Sequence, residues 1–176
     1  MAEDVFKIED AKPEDVVALR TIVRDAWLEL YPNEAYGITA EDISAIDWYA
    51  PKEIEKRKRE ITEMEDTVHT WVVRNSGNEA VGFCKARKAD ERGEIKGMYI
   101  AKELQGKGLG KGLMQKAFEW LGDVDVRLKV VAYNLNAIEF YKKMGFKETG
   151  NKVSYDGTLL PNGKDIPRIE MMKLRN

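Results

Sequence analysis

The sequence predicts an α/β fold in which a mixed, mainly antiparallel sheet of about seven strands is flanked by helices. Short segments with the composition or alternation of strands occur at the beginning, in the middle and at the end of the chain. Segments whose apolar residues recur at helical spacing lie between them. One such helix, residues 109–121, connects two predicted strands, which indicates one parallel crossover within the sheet.

Length and composition favour one domain over residues 1–176, with 43% apolar and 34% charged residues. The 29 basic and 31 acidic residues give a net charge of −2. This charge excludes the cationic field of a nucleic-acid-binding protein and favours small-molecule partners. No apolar run is long enough to span a membrane, and the first ten residues lack the features of a signal peptide. We therefore expect a soluble, cytoplasmic protein with no membrane partner.

The first third of the chain predicts one strand followed by three helices. VFKI, residues 5–8, has the composition of a short strand, and Pro13 begins an amphipathic helix that extends to Leu30. Thr39 and Asp42 resemble a capping box at a short second helix. Residues 51 to about 63 are mostly charged and predict a surface helix.

The middle of the chain predicts an antiparallel meander followed by the crossover. DTVHTWVVRN, AVGFCKARKA and EIKGMYI are three strand-like segments joined by the turns NSGN and DERG. The helix over 109–121 follows and ends at Gly122. Residues 124–130 then alternate apolar and charged side chains, as in a strand with one buried face.

The last third predicts one helix and a final pair of strands. Asn136 and Glu139 have the spacing of a cap for a helix that stops at Gly145. FKETGNKVSY and IPRIEMMK, with a DG turn and an NG turn between them, predict two strands at the sheet edge. An edge strand of this kind could pair two subunits, so a homodimer is a possible assembly.

A glycine-rich segment, residues 105–112, lies between a predicted strand and the helix over 109–121. Backbone N–H groups converge at such a helix N-terminus, and glycines let an anion approach the backbone closely. Lys107 and Lys111 can add charge-assisted contacts. The spacing fits neither the P-loop nor the dinucleotide fingerprint, because Lys111 and Leu113 occupy positions where these motifs need glycine. A flexible connector is the alternative interpretation.

Two motifs in order resemble the signatures of the GNAT superfamily of N-acetyltransferases. Gln105-x-x-Gly108-x-Gly110 resembles its acetyl-CoA pyrophosphate loop. Asn134-x-x-Ala137-Ile138-x-x-Tyr141, ending in Met144-Gly145-Phe146, is similar to its second signature, one helix and one strand further along. Within the family, FYKKMGFKETG and the closing turn-rich strands are most similar to PaiA-type polyamine (spermidine or spermine) N-acetyltransferases.

The resemblance implies a GNAT-like fold that binds acetyl-CoA in a gap between two splayed strands. Pantetheine would bond to the backbone as an added strand does, with a bulge at Gly97 helping the splay. Ordinary strand and helix packing is the alternative for several of these side chains. The implied cofactor residues are Met98, Tyr99, Ile100, Gln105, Gly106, Lys107, Gly108, Leu109, Gly110, Lys111, Asn134 and Ala137.

The resemblance also implies two catalytic residues. Tyr141 would protonate the leaving sulfur of coenzyme A. The ordinary pKa of a phenol, about 10, and that of a thiol, about 8.5, are close enough for proton transfer between them. Glu94 is a candidate base, and strand alternation places it on the same face as Lys96 and Met98. A salt bridge to Lys96 accounts for Glu94 equally well. Lys96 stands where some polyamine acetyltransferases of the family are expected to carry an acid. Lys129 stands at the strand position that protein N-terminal acetyltransferases use for the base.

Acids and aromatic residues between the first and third helices suit a polyamine acceptor, because carboxylates bind ammonium groups and aromatic faces attract cations. Helix capping and core packing are equally good accounts of each residue. The candidates are Glu34, Tyr36, Asp42, Asp47 and Trp48.

The chain has one histidine and one cysteine, and neither predicts a reactive centre. His69, beside Trp71, is expected to pack in a strand, and Cys84 to be a buried apolar residue. The sequence contains no group of His, Cys and carboxylate residues at the spacing of metal ligands, so no metal is expected. The predicted function is acetyl-CoA-dependent N-acetylation of a primary amine in a ternary complex, by direct attack. The alternatives are a protein N-terminal or lysine acetyltransferase and a non-catalytic acyl-CoA sensor.

Overall fold

The computed structural model describes residues 5–63, 66–153 and 159–175. Within these ranges, seven strands form one sheet with the order β1-β2-β3-β4-β5-β7-β6. The strands are β1 (Lys7–Asp10), β2 (Val68–Arg74), β3 (Ala80–Ala89), β4 (Arg92–Ile100), β5 (Asp125–Val131), β6 (Lys147–Val153) and β7 (Arg168–Lys173). The helices are α1 (Val16–Leu30), α2 (Ala40–Ser44), α3 (Pro51–Thr62), α4 (Leu109–Leu121) and α5 (Leu135–Lys143).

The topology confirms the predicted mixed sheet with one parallel crossover. β4 and β5 pair in parallel and are connected through α4, whereas the other neighbouring strands pair antiparallel. The final pair of strands is inserted so that β7 lies between β5 and β6. Only β6 of this pair is therefore at the edge. The predicted DG turn, residues 156–157, lies outside the described residues.

The first helix begins later than predicted, after a 3-10 turn at Pro13–Asp15. The Asp15 carboxylate accepts the backbone N–H of Lys12 at 2.7 Å and two hydrogen bonds from Arg74 at 2.8 and 2.9 Å. Arg74 also pairs with Glu9. This buried ion pair fixes the beginning of α1 against β2.

Apolar cores cover the two faces of the sheet. On the first, the α4 face, α4 and α5 pack with Cys84, Ile95 and Leu128. On the opposite face, the α1 face, α1 and α2 pack with Phe83 and Val131 in two smaller clusters. Adjacent residues such as 83 and 84 point to opposite faces, as strand alternation requires.

Candidate active site

A gap opens between β4 and β5. The two strands pair only where Arg92–Ile95 faces Asp125–Leu128. Beyond Ile95, β4 remains paired to β3 as far as Ile100, and β5 remains paired to β7. The facing edges of residues 96–100 and 129–131 therefore lack a strand partner within the described chain. We call this wedge the β4–β5 cleft; its backbone groups are available to a ligand that binds as a strand does.

A β-bulge lies at the vertex of the cleft. Lys85 pairs with Gly97 while Ala86 pairs with Ile95, so Lys96 is the extra residue on β4. The bulge changes the alternation of β4, because Ile95 and Met98 both belong to the α4-face core. The prediction that Glu94 shares a face with Met98 is therefore wrong. The predicted bulge beside Gly97 is confirmed.

The glycine-rich segment forms an open N-terminus for α4. Gly106 and Gly108 both have φ of +80°, a conformation that glycine adopts without strain, and a Cβ added at either would meet no atom within 4 Å. Gly108 caps the helix without a side-chain hydrogen bond, and its first turn contains no acidic residue. The N–H groups of residues 109–111 thus point toward an exposed surface with the positive end of the helix dipole. This arrangement can bind a phosphate group.

The open N-terminus of α4 adjoins the cleft. A Cβ at Gly110 would lie 3.4 Å from the Phe140 ring and 3.7 Å from the Met98 methyl carbon, so α4, α5 and β4 meet there. The Gln105 side-chain amide donates to the Ile100 carbonyl oxygen at 3.1 Å, which ties the loop to the end of β4. The Lys107 ammonium lies 5.6 Å from the centre of the Phe6 ring.

Tyr141 lies at the α4-face side of the cleft. Its side chain is only 7% exposed and packs edge-on against Phe140 and Phe146. Burial raises the pKa of Tyr141 above its usual range, and the neighbouring Cys84 and Tyr99 raise it further. The phenol is therefore held in its protonated form beside β3 and β4.

A second group of phenols lies on the α1-face side. Tyr99 accepts a hydrogen bond from Trp27 Nε1 at 3.0 Å, and Tyr133 donates to the Tyr31 carbonyl oxygen at 2.7 Å. The pKa of Tyr31 is raised well above its usual range by burial first and then by its neighbours Tyr99 and Tyr141. The sequence prediction missed Tyr31. Its only signal was an aromatic residue at the end of a helix, which does not reveal a partner on β4.

Asn134 begins α5, and its side-chain oxygen accepts the N–H of Ala137 at 3.2 Å. The predicted cap formed by Asn136 and Glu139 is therefore wrong, because both residues lie within α5. Asn134 takes the capping role that was the alternative to cofactor binding, and its amide nitrogen retains two donor hydrogens. The Ala137 side chain is partly buried against the α4-face core.

Glu94 lies on the α1 face with its side chain 4% exposed. Arg87 donates to its carboxylate at 2.6 and 3.2 Å, and Lys96 and Arg127 lie at 3.6 and 3.9 Å. The salt bridge to Lys96, which was the alternative account of Glu94, is present. Because Arg87, Lys96 and Arg127 surround this carboxylate, an acceptor amine would have to compete with them for its oxygens, so these contacts count against a role as base.

The acidic and aromatic residues predicted to bind the acceptor do not gather at one place. Trp48 is buried, packs edge-on against Trp27 and donates its indole N–H to the Ile43 carbonyl oxygen at 3.1 Å. Asp42 caps α2 through Thr39. The exposed candidates are Glu34, Tyr36 and Asp47.

Lys164 also binds Asp42, at 2.8 Å, and this hydrogen bond is the main cause that lowers the pKa of the Asp42 carboxyl. Tyr36, 50% exposed, stacks on Tyr133 with ring centres 5.3 Å apart.

The one histidine and the one cysteine pack against neighbouring side chains. His69 lies 4.3 Å from Trp71 between ring centres and contacts Asp10 at 2.8 Å, as expected for a packing residue. Cys84 is fully buried, as predicted. In the described ranges no group of three or more metal-ligating side chains lies together. Over the same residues, no helix has both the length and the apolar character that crossing a bilayer requires.

Comparison with known proteins identifies sequence relatives. The family model described as the acetyltransferase (GNAT) family matches residues 19–146, more than two thirds of the chain. An uncharacterised N-acetyltransferase of Methanocaldococcus jannaschii is 39% identical over 61 residues, which cover 33% of this chain and 27% of that protein. The match thus spans about a quarter of the relative's length.

Solved structures share the fold across nearly the whole chain. The PaiA N-acetyltransferase of Thermoplasma acidophilum, in complex with coenzyme A, has a TM-score of 0.73 and 23% identity and covers 97% of this chain and 99% of its own. The phosphinothricin acetyltransferase of Sinorhizobium meliloti, in complex with acetyl-CoA, has a TM-score of 0.68 and 18% identity, with coverage of 97% and 89%. The ribosomal-protein-alanine N-acetyltransferase of Brucella melitensis has a TM-score of 0.66 and 20% identity, with coverage of 96% and 99%.

Proposed function

The chain belongs to the GNAT family of acetyltransferases, and we propose that it transfers acetyl from acetyl-CoA to the nitrogen of a primary amine. One observation carries the proposal. The open N-terminus of α4, the unpaired edges of the β4–β5 cleft and the buried Tyr141 phenol adjoin one another. The coenzyme A and acetyl-CoA bound to two solved structures of the same fold support the choice of cofactor.

The residues at this site fit coenzyme A on two observations. Open space at Gly106 and Gly108 leaves the helix N-terminus accessible to a diphosphate. The edge of β4 at Met98 and Ile100 has no strand partner on the β5 side and offers hydrogen bonds to amide groups of the pantetheine arm, although the Ile100 carbonyl oxygen already accepts one from Gln105. In this proposal the N–H groups of residues 109–111 and the Lys107 and Lys111 side chains hold the diphosphate, and the Asn134 amide donates to the arm.

Tyr141 acts as the proton donor in the proposed reaction. Acetyl-CoA supplies an acetyl group activated as a thioester. The protonated Tyr141 phenol can donate a proton to a sulfur that becomes basic beside it. Because burial raises the pKa of Tyr141, its phenol carries the proton that this step requires.

Two roles of Glu94 predict different experimental results. If Glu94 is the base, Glu94→Gln lowers kcat by about 100-fold or more and removes the acidic limb of the pH profile. If Glu94 only holds its three cations, the same variant lowers the free energy of unfolding by about 1–3 kcal/mol and leaves that limb in place. We favour the second role because of the ion pairs, in which case the amine is deprotonated by solvent before it binds.

A polyamine is the narrower acceptor that the sequence motifs suggest. The full-length structural likeness to a PaiA N-acetyltransferase and the exposed Tyr36–Tyr133 stack support it. The engagement of Asp42 and Trp48 in structural contacts does not. A protein amino group is the second acceptor class, and a solved ribosomal-protein-alanine N-acetyltransferase with the same fold supports it.

A thiol-release assay over a panel of amines and peptides tests the proposal. We expect coenzyme A release that requires an amine and is lost in Tyr141→Phe, together with binding of coenzyme A by both proteins. Binding without release for any acceptor would instead support the acyl-CoA sensor. Competition between spermidine and a peptide separates the two acceptor classes.

A further inference from the structure

Three cationic side chains share one buried carboxylate on the α1 face of the sheet. Arg87 Nη2 and Arg127 Nη2 lie 2.6 and 3.9 Å from the same Glu94 oxygen, and Lys96 Nζ lies 3.6 Å from the other oxygen. Because the first two distances share an atom, the two guanidinium nitrogens lie within about 6.5 Å of each other. We call these four residues the Glu94 cluster.

The Glu94 cluster carries two positive charges more than negative charges. Glu94 is nearly fully buried, whereas the side chains of Arg87, Lys96 and Arg127 are 41, 36 and 34% exposed. The neighbouring ammonium group of Lys85 adds no net charge, because it pairs with the Glu60 carboxylate at 2.5 Å. The cluster therefore presents guanidinium and ammonium donors to solvent from a fixed base.

The cluster lies at the vertex of the β4–β5 cleft. The last pair of residues before the two strands separate is Ile95 and Leu128, and Glu94 faces Arg127 in the pair before it. Arg127 and Val131 are four residues apart on β5 and therefore lie on the same face of the sheet, the face opposite α4 and α5. If coenzyme A enters from the α4 side, an acceptor that reaches the cleft from the α1 side passes this cluster.

We propose that the acceptor carries an oxyanion, a carboxylate or a phosphate, close to its primary amine, and that Arg87, Lys96 and Arg127 bind that oxyanion. The inference rests on the proposed function and specifies its substrate. Guanidinium groups bind carboxylates and phosphates through paired hydrogen bonds that a neutral substrate cannot form. The same excess of positive charge repels a polyamine, whose charges are all of that sign.

Pairs of acceptors that differ only in the anion test the substrate class. β-Alanine is compared with β-alaninamide, and phosphoethanolamine with ethanolamine, in the thiol-release assay, with spermidine as a third arm. We expect kcat/KM to be at least about tenfold higher for the anionic member of one pair. The preferred pair distinguishes carboxylate from phosphate. Added salt should raise KM for the anionic acceptor and leave its neutral partner unchanged.

A double variant tests the residues. Lys96→Gln/Arg127→Gln keeps the Arg87–Glu94 hydrogen bonds and should raise KM for the anionic acceptor by about tenfold, with little change in kcat or in coenzyme A affinity. Lys116→Gln is the matched control, since Lys116 is an exposed lysine on α4 that pairs with Glu119 at 3.9 Å. It should behave as the wild type.

Two results overturn the inference and leave the proposed function intact: a preference for spermidine or for the neutral amines, and an equal loss for both members of a pair in the double variant. Absence of thiol release with every acceptor, in protein that binds coenzyme A, overturns the proposed function and the inference together.

Discussion

The two faces of the sheet differ in what determines them. On the α4 face, most of the proposed cofactor site is backbone within residues 98–111, where Gly106 and Gly108 leave the helix N-terminus open and Gly110 lets Phe140 and Met98 pack closely. On the α1 face, the contacts join side chains far apart in sequence, such as Arg74 with Asp15 and Arg127 with Glu94. A short motif can therefore specify the proposed cofactor site, whereas the proposed acceptor contacts depend on the assembled fold.

The largest expected effect is on stability at the α1 face. Arg74→Ala leaves the buried Asp15 carboxylate without its two hydrogen bonds, so the free energy of unfolding should fall by about 3–5 kcal/mol. Lys164→Ala is the control, because its ion pair with Asp42 lies at the surface and should contribute much less to stability. Urea unfolding measures both. Equal losses would mean that long-range pairing does not distinguish this face.

The next effect is on catalysis at the α4 face. Tyr141→Phe removes the proposed proton donor and should lower kcat by about 100- to 1000-fold, with unchanged coenzyme A affinity. Tyr49→Phe, which removes a phenol that bonds to Thr21 and Arg24 on α1, is the control. Steady-state kinetics and calorimetric titration measure the two quantities. Undiminished turnover in Tyr141→Phe would refute the assignment.

Coenzyme A binding should depend on the backbone at the beginning of α4. Gly108→Asp places a negative charge at the helix N-terminus and should weaken binding by about 100-fold. Gly108→Asn has the same shape without the charge and tolerates positive φ, so it should lose much less. Titration of coenzyme A into the three proteins gives the comparison. Equal affinity in all three would place the diphosphate elsewhere.

The smallest effect is on stability at high pH. Burial raises the pKa of Tyr141 and of Tyr31 above the usual phenol value, and that of Tyr133 to about 12. The folded state therefore keeps protons that the unfolded chain loses above a pH of about 10. Stability from these groups is complete below that pH and is lost as the pH rises further.

Differential scanning fluorimetry between pH 9 and 12 checks this dependence. The Tm of the wild type should fall as the pH rises above about 10. The Tm of Tyr141→Phe should fall less steeply, by about 2–4 °C per pH unit, because this variant has no buried phenol to ionise at position 141. Tyr133→Phe should change it less, since Tyr133 is only partly buried. A curve identical to the wild type for Tyr141→Phe would show that its phenol has an ordinary pKa.

Local patterns predicted the elements around the cofactor site. Apolar spacing from Leu109 to Leu121 and a closing glycine were sufficient for α4, because one face of that helix meets a continuous core. Alternation predicted the buried face of β5 in the same way. The positions of Tyr141 on α5 and of the glycines before α4 followed from these elements.

The contacts on the α1 face could not be predicted from local patterns. The bulge at Lys96 reverses the side on which Glu94 lies, and a single inserted residue leaves no periodic signal. The pairing of Tyr31 with Tyr99 depends on how α1 packs on β4. Asn134 and Asn136 are only two residues apart, and sequence spacing does not determine which of them is the cap.

The insertion of β7 between β5 and β6 has a consequence for biosynthesis. β6 is synthesised before β7, yet in the described part of the chain it joins the sheet only through β7. A ribosome that has released residues 147–153 while it still holds residues 168–173 therefore carries β6 undocked, with the outer edge of β5 exposed to chaperones and other nascent chains. Closure of this half of the molecule must wait until its last strand has left the exit tunnel.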